Sequence, residues 1–365
     1  MPEIEVRLDD HDLRAQIDPE RMDRVLENFA DQCRQAREIG QSLKLEGLPS
    51  QPSQIVIQGM GGSSMSGDFL KSYLDDALTI PIHLNRDYSL PNWVKPDALF
   101  IAISYSGNTE ETLSCYQEAR QRGCHLMGVT SGGQLEQYLN ADNGLIIKLR
   151  GGMLPRTTIG YLFLPLLLLF ARLGLIEKQD EQICETIELT EKLNLLYRPS
   201  SPEVDNLAKK IAVHLHDKIP LIYTCERHFG VIARRWKGQV NENAKQAAFY
   251  HVLPQMTHME LVGWGEQQDL NWQLGVVFLQ DREDHPRNQL RIKLCKQVIG
   301  PRAGDMLEVD SQGDSLLARM FSLLYLGDYV SYYLALLNRV DPTPIKAIDF
   351  IKRNLGNSEH RKESL

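Results

Sequence analysis

The sequence predicts an α/β protein built from two doubly wound, parallel-sheet domains, residues 1–198 with connecting helices and residues 199–365. Three observations predict it. Apolar runs of roughly four to six residues alternate with amphipathic stretches of roughly 10 to 15, the spacing of βαβ units around a parallel sheet. At 365 residues the chain exceeds the size at which one hydrophobic core keeps growing. The alternation is interrupted at RPSSPEVD, residues 198–205, and then begins again.

In order, the first half reads as a strand over Ile55–Gln58, then a glycine-rich loop and helix over Gly59–Leu74. Strands follow over Ile80–Asn85 and Ala98–Ser104, then a polar loop and helix over Gly107–Gly123 and a strand over His125–Ser131. The apolar run Ile159–Phe170, closed by Arg172, is too short to span a bilayer and reads as a buried helix between the domains. RPSSPEVD, with two prolines, two serines and opposite charges, reads as an exposed connection. Beyond it come a strand over Ile219–Thr224, a helix over Gly230–Tyr250, a strand over Leu274–Gln280, a helix over Asn288–Gly300 and a strand over Met306–Asp310. A long helix covers Leu316–Leu337, and the tail from Asn354 is expected to be disordered. In such sheets ligand loops lie at the carboxyl ends of the strands.

Composition narrows the function. Forty-eight acidic residues against 40 basic ones give a net charge of −8, which argues against a nucleic-acid partner, whose phosphate backbone calls for concentrated Lys and Arg. A small anionic substrate remains compatible, because one pocket can be positive on an acidic protein. The cysteines Cys33, Cys115, Cys124, Cys184, Cys225 and Cys295 are widely spaced and form no C-x-x-C pair, as expected of reduced cysteine in a cytoplasmic protein. The opening MPEIEVRLDDHDL is acidic and lacks an apolar core, so neither a signal peptide nor a membrane association is expected.

Two loops carry the chemistry. ALFIAISYSGNTEETL, residues 98–113, ends a buried strand on Ser104, Ser106, Asn108 and Thr109, more small polar side chains than a turn requires. Asn108 and Glu111 have the spacing of a capping box. Hydroxyls beside the N–H groups of a helix start make a cup that satisfies a phosphate without lysine; the plain alternative is a polar turn and a helix cap. GMGGSSMSGD, residues 59–68, follows a strand directly and opens a helix, with Gly59, Gly61 and Gly62 allowing close backbone approach. A dinucleotide fingerprint would need glycine where Ser64 stands, with an acid such as Asp87 for the ribose.

The pair GMGGSSMSGD and SYSGNTEET, with PRTTIGY at 155–161, NENAK at 241–245, HMELVGW at 258–264 and DPTPIKAIDFIK at 341–352, resembles the bifunctional phosphoglucose/phosphomannose isomerases and their sugar isomerase (SIS) domains. The resemblance implies two flavodoxin-like SIS domains, a homodimer, and interconversion of glucose 6-phosphate or mannose 6-phosphate with fructose 6-phosphate, with no metal and no cofactor. It implies that Ser104, Ser106 and Thr109 hold the phosphate, that Gly61, Gly62 and Ser63 line the sugar, and that Arg156 faces the reacting carbons. A fixed guanidinium there stabilises the oxyanion of an enediolate.

By the same resemblance Glu242 is the base that moves a proton between C1 and C2. His258, among Met256, Met259, Leu261 and Trp264, is expected in an apolar setting that keeps its imidazole neutral for ring opening, and it reaches the site of a partner subunit. A lysine near the C-terminus completes the set: Lys352, with Lys346 as the other choice. His214 and His216 lack a nearby carboxylate cluster of metal spacing and read as structural. Two other classes stay open: a non-catalytic SIS protein that binds a sugar phosphate for regulation, which would lack the base, and a nicotinamide-dependent enzyme, which would bind NAD or NADP.

Overall fold

The computed structural model describes residues 8–265, 267–303 and 306–362; the first half of the acidic opening segment and the last three residues of the tail lie outside them. Three helices lead in, α1 (His11–Ile17), α2 (Met22–Glu27) and α3 (Phe29–Ser42). The first sheet and its helices follow as β1 (Ile55–Gly59), α4 (Gly61–Leu74), β2 (Ile82–Asn85), β3 (Leu99–Ile103), α5 (Glu110–Gln121), β4 (His125–Thr130), α6 (Gly133–Ala141) and β5 (Leu145–Lys148). A 3₁₀ turn at Pro155–Thr157 precedes α7 (Ile159–Arg172), α8 (Asp180–Tyr197) and α9 (Leu207–Leu215). The second sheet follows as β6 (Ile219–Cys225), α10 (Glu226–Asn243), β7 (Phe249–Leu253), 3₁₀ turns at Gln255–His258 and Glu260–Trp264, α11 (Gln268–Asn271), β8 (Leu274–Gln280), α12 (Pro286–Ala303) and β9 (Met306–Asp310). The chain closes with α13 (Leu316–Leu337) and α14 (Lys346–Lys362).

Among the described residues the first sheet has the order β2-β1-β3-β4-β5 and the second β7-β6-β8-β9, all neighbours parallel. The second sheet therefore repeats the first without its last strand. β1 and β3 are buried along their whole length, with Ile55 opposite Leu99 and Gly59 opposite Ile103. In each sheet the strand order reverses beside its first strand, so a crevice opens at the carboxyl ends of β1 and β3 and again at those of β6 and β8.

One hydrophobic cluster runs through both halves, and α7 and α13 are its axis. Phe163 of α7 meets Phe321 of α13 at 5.8 Å between ring centres and Phe69 of α4 at 6.1 Å. By length and composition α13 could cross a membrane, but its residues 317–337 are all buried inside the protein, so its apolar character serves the core. Trp236 of α10 donates its indole N–H to the carbonyl of Leu323 at 2.8 Å and lies against Gly327, where no Cβ would fit. Arg235 and Asp328 form a buried two-point pair at 3.0 and 2.8 Å.

Three expectations are corrected. The helix read through Tyr250 stops at Asn243, because Lys245 turns into left-handed backbone, and residues 249–253 form the edge strand β7. The tail is helical as far as Lys362. The α6–β5 unit, absent from the elements read in sequence, extends the first sheet at its far edge.

Candidate active site

Gly61 and Gly62 begin α4 directly after β1. A Cβ on Gly62 would stand 2.9 Å from the backbone nitrogen of Arg156, so close approach requires glycine there, and the left-handed backbone of Gly61, φ +54°, favours it at the preceding position. Met60 caps α4 with no side-chain hydrogen bond. The Ser63 hydroxyl accepts the N–H of Tyr105 at 3.2 Å and so ties the β1–α4 loop to the loop after β3.

That second loop is held by its own hydroxyls. Ser104 Oγ lies 2.8 Å from Thr109 Oγ1 and accepts the N–H of Gly107 at 3.1 Å, while Ser106 Oγ accepts the N–H of Asn108 at 3.3 Å. Ser104 is buried and shapes the loop; Ser106 is exposed at the crevice and Thr109 half-buried. The expected Asn108–Glu111 capping box does not form: Thr109 is the N-cap, it makes no side-chain cap bond, and Asn108 Oδ1 instead accepts the N–H of Gln134 at 3.0 Å. The tight turn at Gly107, φ +72°, swings Asn108 toward α6. The first-turn N–H groups of α5 are thereby left without a side-chain cap beside two hydroxyls, an arrangement that suits an anion.

Arg156 lies across the crevice and is 3% exposed. Its Nε donates to Asn243 Oδ1 at 2.7 Å and its Nη2 to the carbonyls of Pro342 at 2.8 Å and Thr343 at 2.7 Å. Nη1 faces Glu242 Oε2 at 3.7 Å. Burial pulls the Arg156 pKa below its ordinary value, and the Glu242 charge opposes that pull. Arg235 donates to the carbonyl oxygen of Arg156 at 2.9 Å, so the buried pair inside the second half also fixes the backbone beneath the guanidinium.

Glu242 sits in the last turn of α10 and faces a cavity of about 560 Å³, also lined by Lys245, Asp341, Ile345 and Lys346. Lys245 donates to the carbonyl oxygens of Glu242 at 2.6 Å and Pro342 at 3.1 Å. Burial first, and then the nearby Arg156, pull its pKa down to about 8.

The contacts Thr109–Ser104, Tyr105–Ser63, Gly62–Arg156 and Arg156–Glu242 thus join Gly61, Gly62, Ser63, Ser104, Ser106, Thr109, Arg156 and Glu242 into one site. His258 is not brought there. It follows the carboxyl end of β7, whereas Glu242 ends a helix that has run back about 25 Å to the amino end of the same sheet. Its expected apolar setting is corrected as well: the two successive 3₁₀ turns direct Met256 and Trp264 inward and leave His258 and Met259 exposed. Lys352 lies exposed on α14, about one and two-thirds turns beyond Lys346, which lines the cavity. Asn243, Lys245 and the carbonyls of Pro342 and Thr343 are further parts of the site; they fall within the NENAK and DPTP motifs, but the contacts of Asn243, Pro342 and Thr343 to Arg156, and of Lys245 to Pro342, depend on distant partners.

The second crevice is filled by the chain itself. Asp281, after β8, accepts the N–H of Glu283 at 2.9 Å and Arg319 Nε at 2.9 Å, and takes the Ser311 hydroxyl as well. Among the described residues no three His, Cys, Asp or Glu side chains gather closely enough to hold a metal ion.

A family model for the SIS domain matches residues 50–150, and one for the bacterial phospho-glucose isomerase C-terminal SIS domain matches residues 204–355. The bifunctional phosphoglucose/phosphomannose isomerase of Caldicellulosiruptor bescii is 43% identical over 90% of this chain and 97% of its own length. The protein of the same name from Aquifex aeolicus is 35% identical over 82% of this chain and 90% of its own. A solved structure described as a glucose-6-phosphate isomerase like protein from Thermus thermophilus shares the fold, with TM-score 0.60 and 18% identity over 92% of this chain and 97% of that one.

Proposed function

This chain belongs to the bifunctional phosphoglucose/phosphomannose isomerase family, and on that premise we propose that it interconverts glucose 6-phosphate and mannose 6-phosphate with fructose 6-phosphate by proton transfer through a cis-enediolate. The observation that carries this reading is the 3.7 Å approach of Arg156 Nη1 to Glu242 Oε2, with the other guanidinium contacts tied to Asn243, Pro342 and Thr343. A base and an oxyanion partner converge on one point, at the far side of the glycine loop from a phosphate cup.

The phosphate lies at the start of α5 against Ser106 and Thr109, and the sugar chain extends past Gly61, Gly62 and Ser63. Glu242 takes the proton from C2 of the open-chain aldose while the charge moves onto O1 beside Arg156. As O2 passes its proton to O1 and C2 becomes the carbonyl, Glu242 returns a proton to C1. The 10²–10⁴-fold usual for such acid–base catalysis requires the base within hydrogen-bond reach, and a partly exposed Glu242 has that freedom.

Ring opening falls to His258, which a second copy must supply. Support for that homodimer is the apolar surface around His258: Met259, Val262, Leu270 and Trp272 are exposed, and Leu290, Leu294 and Val298 form an exposed stripe on α12. Exposed patches of this kind mark interaction surfaces. The lysine of the site is Lys352 or Lys346, both on α14.

A coupled assay with glucose 6-phosphate and mannose 6-phosphate side by side tests the reading. Turnover of both is expected. Binding of both without turnover would replace it with a regulatory sugar-phosphate-binding protein.

A further inference from the structure

Lys245 has more partners than a helix cap needs. It stands two residues past the end of α10 in left-handed backbone, φ +55°, where glycine is the usual residue. Folded back, its Nζ donates to the carbonyls of Glu242 at 2.6 Å, Asn243 at 3.3 Å and Pro342 at 3.1 Å, which uses all three ammonium hydrogens.

The first two acceptors are unpaired carbonyls at a helix C-terminus, which any nearby basic side chain can satisfy. The third is different. The Pro342 carbonyl also accepts Arg156 Nη2 at 2.8 Å, so an ammonium and a guanidinium share one oxygen. Two like charges at that distance oppose one another, and a lysine that only capped the helix would turn its charge into water instead.

We propose that Lys245 is a positioning residue for the isomerisation: its ammonium staples the turn of α10 that carries Glu242 to the carbonyl that holds Arg156, and so fixes base and guanidinium relative to each other. The inference rests on the isomerase reading. The charged groups facing Lys245 are Arg156 from the 3₁₀ turn, Glu242 from α10 and Asp341 from the segment after α13, with Lys346 of α14 lining the same cavity. Burial and Arg156 lower the lysine pKa to about 8, so its charge and one of its three bonds are lost as the pH rises through that value. The turnover number should fall over the same range.

The test compares wild type with Lys245→Met and Lys245→Arg, measuring kcat and KM for glucose 6-phosphate from about pH 6 to pH 10. Lys245→Met should lower kcat at pH 7 at least about tenfold while KM stays within about threefold, because the phosphate cup lies on other elements. Lys245→Arg keeps its charge at every pH used, so it should recover most of kcat and move the alkaline limb up by more than about one pH unit. The proposal is overturned if kcat of Lys245→Met stays within about threefold of wild type, if its KM rises as much as kcat falls, or if Lys245→Arg keeps the wild-type alkaline limb. Should Lys245→Met fail to fold, the Lys245→Arg profile decides alone. A wild-type chain without isomerase activity overturns the underlying reading, and this inference with it.

Discussion

Asn243 Oδ1 accepts the Nε hydrogen of Arg156 at 2.7 Å while the same amide donates to Ser331 Oγ at 3.0 Å, so α10 and α13 together aim a guanidinium that comes from the other half of the chain. Asn243→Ala should lower kcat at least about tenfold with little change in KM. Because it leaves a buried charged donor unpaired, it should also reduce stability by about 1–3 kcal/mol, read from urea unfolding. Unchanged turnover would mean that the two proline-loop carbonyls orient Arg156 without help.

Glu242→Gln keeps size and polarity and removes basicity. Turnover should drop by about 10²–10⁴-fold, with substrate affinity nearly unchanged. In D₂O the wild type should place some deuterium at C2 of glucose 6-phosphate and the variant far less. Near-normal turnover would remove Glu242 from the mechanism.

Changing Ser106 and Thr109 together to Ala removes two hydroxyls at the uncapped start of α5. Each hydrogen bond to a charged acceptor typically contributes about 1.5–3 kcal/mol, so KM for both sugar phosphates should rise at least about tenfold. Constants that do not move would reduce this loop to a polar turn.

Gly327→Ala tests the frame behind the site. The added methyl would stand 2.2 Å from Trp236 Nε1, and the indole cannot yield without breaking its bond to Leu323. Overpacking of this kind costs about 1–3 kcal/mol, so the urea midpoint should fall clearly. A midpoint equal to wild type would show that α13 can shift away from α10.

Much of this was legible in the sequence because the signals were local. Ile55–Gly59 and Leu99–Ile103 are short apolar runs ending in loops rich in Gly, Ser and Thr, and both strands and loops stand where the pattern put them. What stayed hidden depends on distant partners. The acceptors of Arg156 lie 87 to 187 residues away, and nothing local to Arg156 announces them. The α10 terminus was hidden for the opposite reason: no glycine or proline marks it, and Ala247 and Ala248 favour a helix that the left-handed turn at Lys245 prevents. His258 has apolar sequence neighbours, but a 3₁₀ turn separates neighbours in sequence to opposite faces.

The clamp on Arg156 also sets a clock during synthesis. Thr343 leaves the ribosome 187 residues after Arg156, roughly 10–40 s later at ordinary elongation rates. Until then the guanidinium lacks the two carbonyls that hold its Nη2, and Asn243, which holds its Nε, itself follows only 87 residues after Arg156. On the proposed reading, the loops that would grip a phosphorylated sugar are therefore synthesised well before the set of groups that aims Arg156 is complete.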